Sequence, residues 1–522
     1  MVASVPLLRR MTELEPWCRS LGEAPVLVPT MGALHGAHGS LIAAAAATGR
    51  PVLVSVFVNR LQFGAGEDFD RYPRSLDADQ ALAAAAGASA LWAPSEADLY
   101  PLGPAGHLQL VPPEPLVRHL CGPGRPGHFR GVATVVSRLL ALSGATTLVL
   151  GEKDWQQLQV VRAMLRDLGA PVRLLPCPTR READGLPFSS RNTYLSAAER
   201  QQAAALPRAL AAAAASVLAG RQDGRRLERQ VRLDLEQAGL QVEYVQLVDP
   251  LQLQPLVRLR SLALLAAAVR CGTTRLIDHR PLMTRAPIVA IDGPAGAGKS
   301  TVTRAVARQL GLIHLDTGAM YRAVTWWLQR HGLPLQEGPD LEAALEGCGL
   351  RLEPRGDREQ EVVIGGVTVT EAIRTAEVTA AVSTVAALPA VRRYLTGLQR
   401  RYGETGGVVA EGRDIGTAVF PDAELKVFLT ASVPERVRRR QADLQQRGLP
   451  VPAADQLAVE IQERDARDAG RAVAPLCRAE DAVELVSDGL GIEAVVDRIV
   501  DLFRERVPVE AMLSAEDPSA AG

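Results

Sequence analysis

His35 and His38 stand three residues apart in PTMGALHGAHGSL (29–41), directly after the apolar run Val26 to Val28, in a chain with only 8 histidines. Zinc would need three or four ligands with thiolate or carboxylate help, and nothing nearby supplies them. A nucleophilic triad would need a Ser or Cys on an elbow turn, which is absent. A strand running into a glycine-bearing turn, with imidazoles at the mouth of a helix, suits a polyphosphate. A second stretch, DGPAGAGKST (292–301), has the spacing G-x-x-x-x-G-K-S at Gly293, Gly298, Lys299 and Ser300. Here Gly293, Gly296 and Gly298 let backbone N–H groups wrap a phosphate at a helix N-terminus. Lys299 reaches the outer phosphates, Ser300 is placed to hold Mg²⁺, and Thr301 completes the motif.

Lysine usage points to the same two places. Of 58 basic residues only Lys153, Lys299 and Lys426 are lysine, and the rest are arginine. A compact ammonium suits a crowded phosphate site better than a planar guanidinium. Lys299 lies in the glycine motif and Lys153 in GEKDWQQLQVV (151–161), whereas Lys426, in ELKVFLTAS, reads as structural.

These groups need a scaffold. At 522 residues the chain exceeds one core, and roughly 150 residues per domain predicts roughly three or four units. PVLVPT, PVLVSVFVN, TLVLG and PVRLLPCP alternate with helical patterns, which means a parallel α/β sheet. From about Ala198 the pattern changes to a smaller α+β unit. HRPLMTRAP carries two prolines and no period, so 279–286 is expected to be a linker. A second α/β system is expected over 287–508, and a disordered tail over 509–522.

A net charge of −1 gives no global attraction to nucleic acid or anionic membrane, so phosphate binding must be local. Six scattered cysteines without a C-x-x-C pair suit a reducing cytosol. The N-terminal apolar stretch is too short for a signal peptide, and runs such as Leu139 to Gly151 fall short of the ~18 residues of a membrane span. The expectation is a cytoplasmic protein without nucleic-acid or membrane partners.

With HLDTGAMYRAVT (314–325), VRR (391–393), AEGRDIGTAVF (410–420) and ERDARDAGRAVAPL (463–476), the second half resembles bacterial cytidylate kinase over nearly its whole length. The resemblance implies a P-loop nucleoside monophosphate kinase with an NMP-binding insertion at about 337–390 and a mobile lid near 463–471. Carried onto this sequence, Thr317, Arg392, Arg413 and Asp414 hold CMP or dCMP. Arg464, Asp468 and Arg471 hold its phosphate, sugar or base, and Lys299 and Arg464 take the catalytic roles. The chemistry agrees: a carboxylate accepts from the cytosine amino group, and arginines offset charge in the loose transition state.

The first half is similar to pantothenate synthetase over about residues 1–278. Besides PTMGALHGAH, the likeness rests on VNRLQFGAGEDFDRYPR (58–74), RPGHFRGVATVV (125–136), GEKDWQQLQVV, READGLPFSSRNTYLS (181–196) and GTTRLID (272–278). It implies a Rossmann-like nucleotidylyl-transferase domain (1–177) with a small α+β subdomain (178–278), ahead of the P-loop kinase domain. It also implies activation of pantoate by ATP to pantoyl-adenylate, followed by attack of β-alanine. By that likeness His35 and His38 stabilise the phosphates, with His38 the acid, and Lys153, Ser189, Ser190 and Arg191 bind the same phosphates. Gly151 and Asp154 take the ribose. Gln62 and Gln157 orient pantoate, and Met31 and Gly32 border the nucleotide, Met31 also lining the dimethyl end of pantoate. A homodimer through this half is a further implication.

The family's H-x-G-H reads His35-Gly36-Ala37-His38 here, Gly39 follows where a bulky residue is usual, and Arg60 replaces a proline. A methyl at Ala37 crowds the adenine approach, and Gly39 weakens the first helical turn by ~1 kcal/mol. Every polar motif residue is present, so an active site is expected. The leading expectation is thus an enzyme with two reactions and two ATP sites, with Mg²⁺ as the metal. The alternative is a kinase carrying a non-catalytic nucleotide- or pantoate-sensing first half. A nucleic-acid-binding ATPase is disfavoured by the neutral charge and the lack of an aromatic-basic face.

Overall fold

Short runs of Val, Leu and Ile bounded by proline, glycine or charge become the strands. In the computed structural model, residues 5–516 are described apart from 65, 334, 356–358, 447 and 472. The chain forms two units, 1–284 together with 508–522, and 285–507. The first holds β1 (Leu7–Leu8), β2 (Val26–Thr30), β3 (Val52–Val56), β4 (Ala90–Trp92), β5 (Thr147–Gly151) and β6 (Arg173–Cys177). They lie in the order β1-β4-β3-β2-β5-β6, and every pairing is parallel. Val26, Leu27 and Val28 are all fully buried. Leu27 packs on one face with the helices His128–Ser143 and Trp155–Asp167, while Val26 and Val28 pack on the other with the helices Gly36–Ala46 and Leu76–Ala85. A strand covered on both faces explains a continuous apolar run in place of alternation. From β2 the chain winds outward through β3 and β4, then returns to the far side of β2 with β5. The order reverses between β2 and β5, and the crevice at their carboxyl ends is where such sheets bind ligands.

The α+β portion is an antiparallel sheet of β7 (Gln241–Val248), β8 (Leu262–Cys271) and β9 (Thr274–Met283). The helices Ala205–Leu218 and Gly224–Gln237 pack their Leu, Val and Ala residues against it. Two sequence expectations fail here. Residues 279–283 are not linker but the second half of β9, paired residue by residue with β8. Pro281 is tolerated because β9 is an edge strand, where a missing N–H breaks no ladder. The tail expected to be disordered forms a helix, Val509–Glu516, which belongs to the first unit and buries Ala511. Residues 517–522 of that expected tail lie outside the described residues.

The second unit has a parallel sheet of β10 (Ile288–Asp292), β11 (Ile313–Asp316), β15 (Val408–Gly412), β16 (Leu425–Thr430) and β17 (Val483–Val486), ordered β11-β15-β10-β16-β17. The central strand β10 runs straight into the glycine motif and the helix Lys299–Leu310. The insertion between β11 and β15 includes a small antiparallel sheet, β12 (Arg351–Arg355), β13 (Glu359–Ile364) and β14 (Val367–Thr368), and the helices Pro339–Gly347 and Ala376–Val385. Lys426 is structural: its ammonium bonds the Pro421 carbonyl at 2.6 Å and Asp481 at 2.9 Å. No helix among the described residues is long and apolar enough to cross a membrane.

Candidate active sites

At the β2–β5 crevice a cavity of about 230 Å³ is lined by Met31, His35, Ala37, His38, Gln62, Gly151, Lys153, Asp154, Gln157 and Ser189 to Arg191. Residues from four separate motifs therefore converge. Gly32 does not line it. Its φ of +84° makes the turn after β2, and a Cβ there would lie 2.9 Å from Val56. His35 is the N-cap of the 36–46 helix, and its backbone N–H donates to His38 Nδ1 at 3.2 Å. An Nδ1 that accepts leaves the proton of a neutral imidazole on Nε2. Burial, reinforced by His35 and Lys153, drives the His38 pKa down to about 3; burial and Lys153 take His35 to about 4. Burial first, then the His35 ring and the Lys153 ammonium, disfavour a positive charge on His38, so the geometry presents its Nε2–H as the donor. Arg191 is held by Asp68 through two bonds of 2.9 and 2.8 Å, and Tyr72 OH lies 3.1 Å from Ser190 Oγ. Gln62 is fixed by Asn59 at 3.3 Å, and its amide nitrogen reaches Met31 Sδ at 2.8 Å.

The second unit has a cavity of about 490 Å³ lined by Gly296, Gly298, Lys299, Ser300, Thr301, Thr317, Arg392, Arg413, Asp414, Arg464, Asp468 and Arg471. Gly293 stands apart from the lining: a Cβ there would meet the Leu429 carbonyl at 2.0 Å, so only glycine fits. Lys299 is buried, bonding the Gly293 and Pro294 carbonyls at 2.8 Å each, and burial pushes its pKa well down. Two buried carboxylates hold the arginines. Asp414 pairs with Arg392 at 2.5 Å, and Asp468 pairs with Arg413 at 3.0 Å and with Arg471. Among the described residues Arg464 Nε has no hydrogen-bond partner, although it is buried. Ser300 Oγ bonds Glu411 at 2.8 Å, and Glu411 also meets His314 Nε2 at 3.2 Å. Hydroxyl and carboxylate oxygens, with Asp316 in the same cavity, are the hard donors that magnesium takes alongside water and phosphate.

The pantoate-beta-alanine ligase family model matches residues 6–281, and the cytidylate kinase family model matches 289–505. A bifunctional pantoate ligase/cytidylate kinase of Synechococcus sp. (strain RCC307) is 61% identical over 97% of this chain and 99% of that protein. The chain belongs to the bifunctional pantoate ligase/cytidylate kinase family. The relative so named from Prochlorococcus marinus (strain MIT 9313) is 57% identical over 96% of this chain and 100% of its own length. The crystal structure of pantothenate synthetase from Thermus thermophilus is similar to the first half, with TM-score 0.50 and 41% identity, covering 53% of this chain and 99% of that one.

Several residues of the ligase and kinase units escape sequence reading because their partners lie far along the chain. Asp79 is buried and accepts from the Ala33 and Leu34 N–H groups at 3.1 and 2.7 Å, pinning the turn before His35. His128 donates through Nδ1 to the Gln62 carbonyl at 2.8 Å and faces Arg125 at 3.0 Å, so RPGHF backs the ligase cavity. In the kinase unit, Asp292 accepts from Ile415 and Gly416 N–H at 2.8 and 2.7 Å and so locks the segment carrying Arg413 and Asp414. Burial pushes its carboxyl up to about 6. Arg436 bonds the Ala295 carbonyl at 2.7 Å and steadies the glycine loop.

Two of the three departures in the ligase motif are accommodated, while the third, Ala37, lines the cavity. Arg60 stacks over Phe69 at 4.3 Å, and the 36–46 helix starts in place despite Gly39. A Cβ at Gly39 would make only an ordinary contact of 3.6 Å with Leu82. Gly39→Ala is therefore expected to stabilise the ligase unit by ~0.5–1 kcal/mol, read as a higher melting transition with pantothenate formation retained. A lower transition would mean that the helix begins elsewhere.

Proposed function

We propose that the chain performs two ATP-dependent reactions at two separate sites. At the first, pantoate attacks the α-phosphate of ATP, pyrophosphate leaves, and β-alanine displaces AMP from the acyl-adenylate to give pantothenate. His35, His38 and Lys153 meet charge on the phosphates, with Ser189, Ser190 and Arg191 opposite. Gly151 and Asp154 take the ribose, while Gln62 and Gln157 orient pantoate beside Met31. Donors fixed before the reaction where charge develops lower the barrier.

At the second site CMP or dCMP accepts the γ-phosphoryl group. Thr317, Arg392, Arg413 and Asp414 position the nucleotide, with Asp468 holding Arg413 and Arg471 in place. Lys299 and Arg464 draw on the charge of the transferring group, and the glycine loop supplies N–H donors. Ser300 and Glu411 would hold Mg²⁺, which offsets phosphate charge when bound.

The observation that carries the first reading is the convergence of the histidine pair and Lys153 on the strand-order reversal, beside the strap of Ser189 to Arg191. Relatives of 57–61% identity that carry both activities in their names do not favour a mere sensor for the first half. A cytoplasmic enzyme, dimeric through its ligase unit, fits this reading. The test is one preparation of the full chain assayed for pantoate-dependent ATP–pyrophosphate exchange and for CMP-dependent ADP formation. Absence of either activity in the folded protein would overturn the corresponding half.

A further inference from the structure

The residue before Lys153 turns away from the cavity. Glu152 is fully buried, and its carboxylate accepts the backbone N–H of Val509 at 2.8 Å and of Glu510 at 3.4 Å. Those N–H groups open the 509–516 helix, so they have no acceptor within it and carry its positive end. Burial pushes the Glu152 carboxyl up to about 7, and the two N–H donors favour its charged form.

The same helix reaches a second wall of the site. The Glu510 carboxylate lies 3.6 Å from Arg181, which is itself bound to Asp278 at 2.8 and 3.1 Å. Arg181 opens the strap that leads to Ser189, Ser190 and Arg191. One short helix thus touches both segments, the one carrying Lys153 and the one leading to Ser189 to Arg191, that line the cavity beside the histidines. Its burial of Ala511 against the first unit keeps it seated there.

We propose that residues 508–516 are a positioning element of the ligase site: their N–H groups clamp Glu152 to set Lys153, and Glu510 steadies the strap of Ser189 to Arg191. The proposal rests on the ligase reading of the first unit. It places the determinants of one reaction at both ends of the intervening kinase unit, so residues 1–278 do not contain the complete site.

The test is Val509→Pro in the full chain. Proline is favoured at the first helical position and lacks the N–H, so the helix survives while the shorter of its two bonds to Glu152 is lost. The expected result is a KM for ATP in pantothenate formation raised roughly five- to tenfold, with kcat nearly unchanged. The KM for β-alanine, the melting transition and CMP phosphorylation should stay at parent values. Val509→Ala keeps the N–H and should match the parent. An unchanged KM for ATP overturns the proposal, as does a lowered melting transition with ATP kinetics intact, which would make the helix a prop alone. A parent chain that makes no pantothenate overturns the ligase reading and the proposal together.

Discussion

Lys299→Met is expected to lower CMP phosphorylation by ~10²–10³-fold while pantothenate formation continues at the parent rate. Methionine preserves most of the length and packing of the buried stem and deletes only the ammonium. In the structure that ammonium sits on the Gly293 and Pro294 carbonyls at 2.8 Å each, curled against its own loop. Burial disfavours its charge, and Glu411 and Asp292 restore part of it. An incoming phosphate chain is a far better counter-charge than two carbonyls, so the lysine is poised to exchange partners. Removing one donor from charge that develops in a transition state typically costs this much. The measurement is CMP-dependent ADP release at saturating ATP. A loss of less than about tenfold would place the phosphoryl transfer on other groups, Arg464 first among them.

His38→Ala is expected to cost ~10²–10³-fold in pantoate-dependent ATP–pyrophosphate exchange and nothing in CMP phosphorylation. The informative companion is His38→Gln. Since His38 Nδ1 accepts from the His35 N–H, the useful proton is on Nε2, and a glutamine amide reaches a similar place. A neutral donor predicts that glutamine regains at least part of the lost rate. A charged acid predicts that it regains none and that the parent enzyme speeds up on mild acidification. The pKa of about 3 at His38 favours the first outcome, although an anionic triphosphate beside the ring raises it. If both variants retained parent exchange rates, the histidine pair would have no part in the chemistry.

The cavity-lining residues were legible because most belong to a local pattern whose residue types imply a chemistry. HxxH after an apolar strand, GxxxxGKS after another, and lysine spared at two motif positions all point at the carboxyl ends of strands. The residues that hold those groups were not legible. Asp79 serves a turn 46 residues away, Asp292 a segment 123 away, and Arg436 a loop 141 away. Nothing in the local text distinguishes such an aspartate or arginine from a solvated one, since its role exists only once the sheet is assembled. The linker misreading has a similar origin. Two prolines in HRPLMTRAP signal a break, yet an unpaired edge accepts proline, and only the topology reveals that β9 is such an edge. The sparse, polar ending concealed a helix because its stabilising acceptor, Glu152, lies on the other side of the sequence.

That last pairing also bears on the timing of synthesis. The groups that grip Glu152 are translated only after all of residues 285–507 have been made. At ordinary elongation rates that interval is roughly 10–40 s. Val509 and Glu510 can meet Glu152 only at the end of synthesis, once the residues of both units have been made.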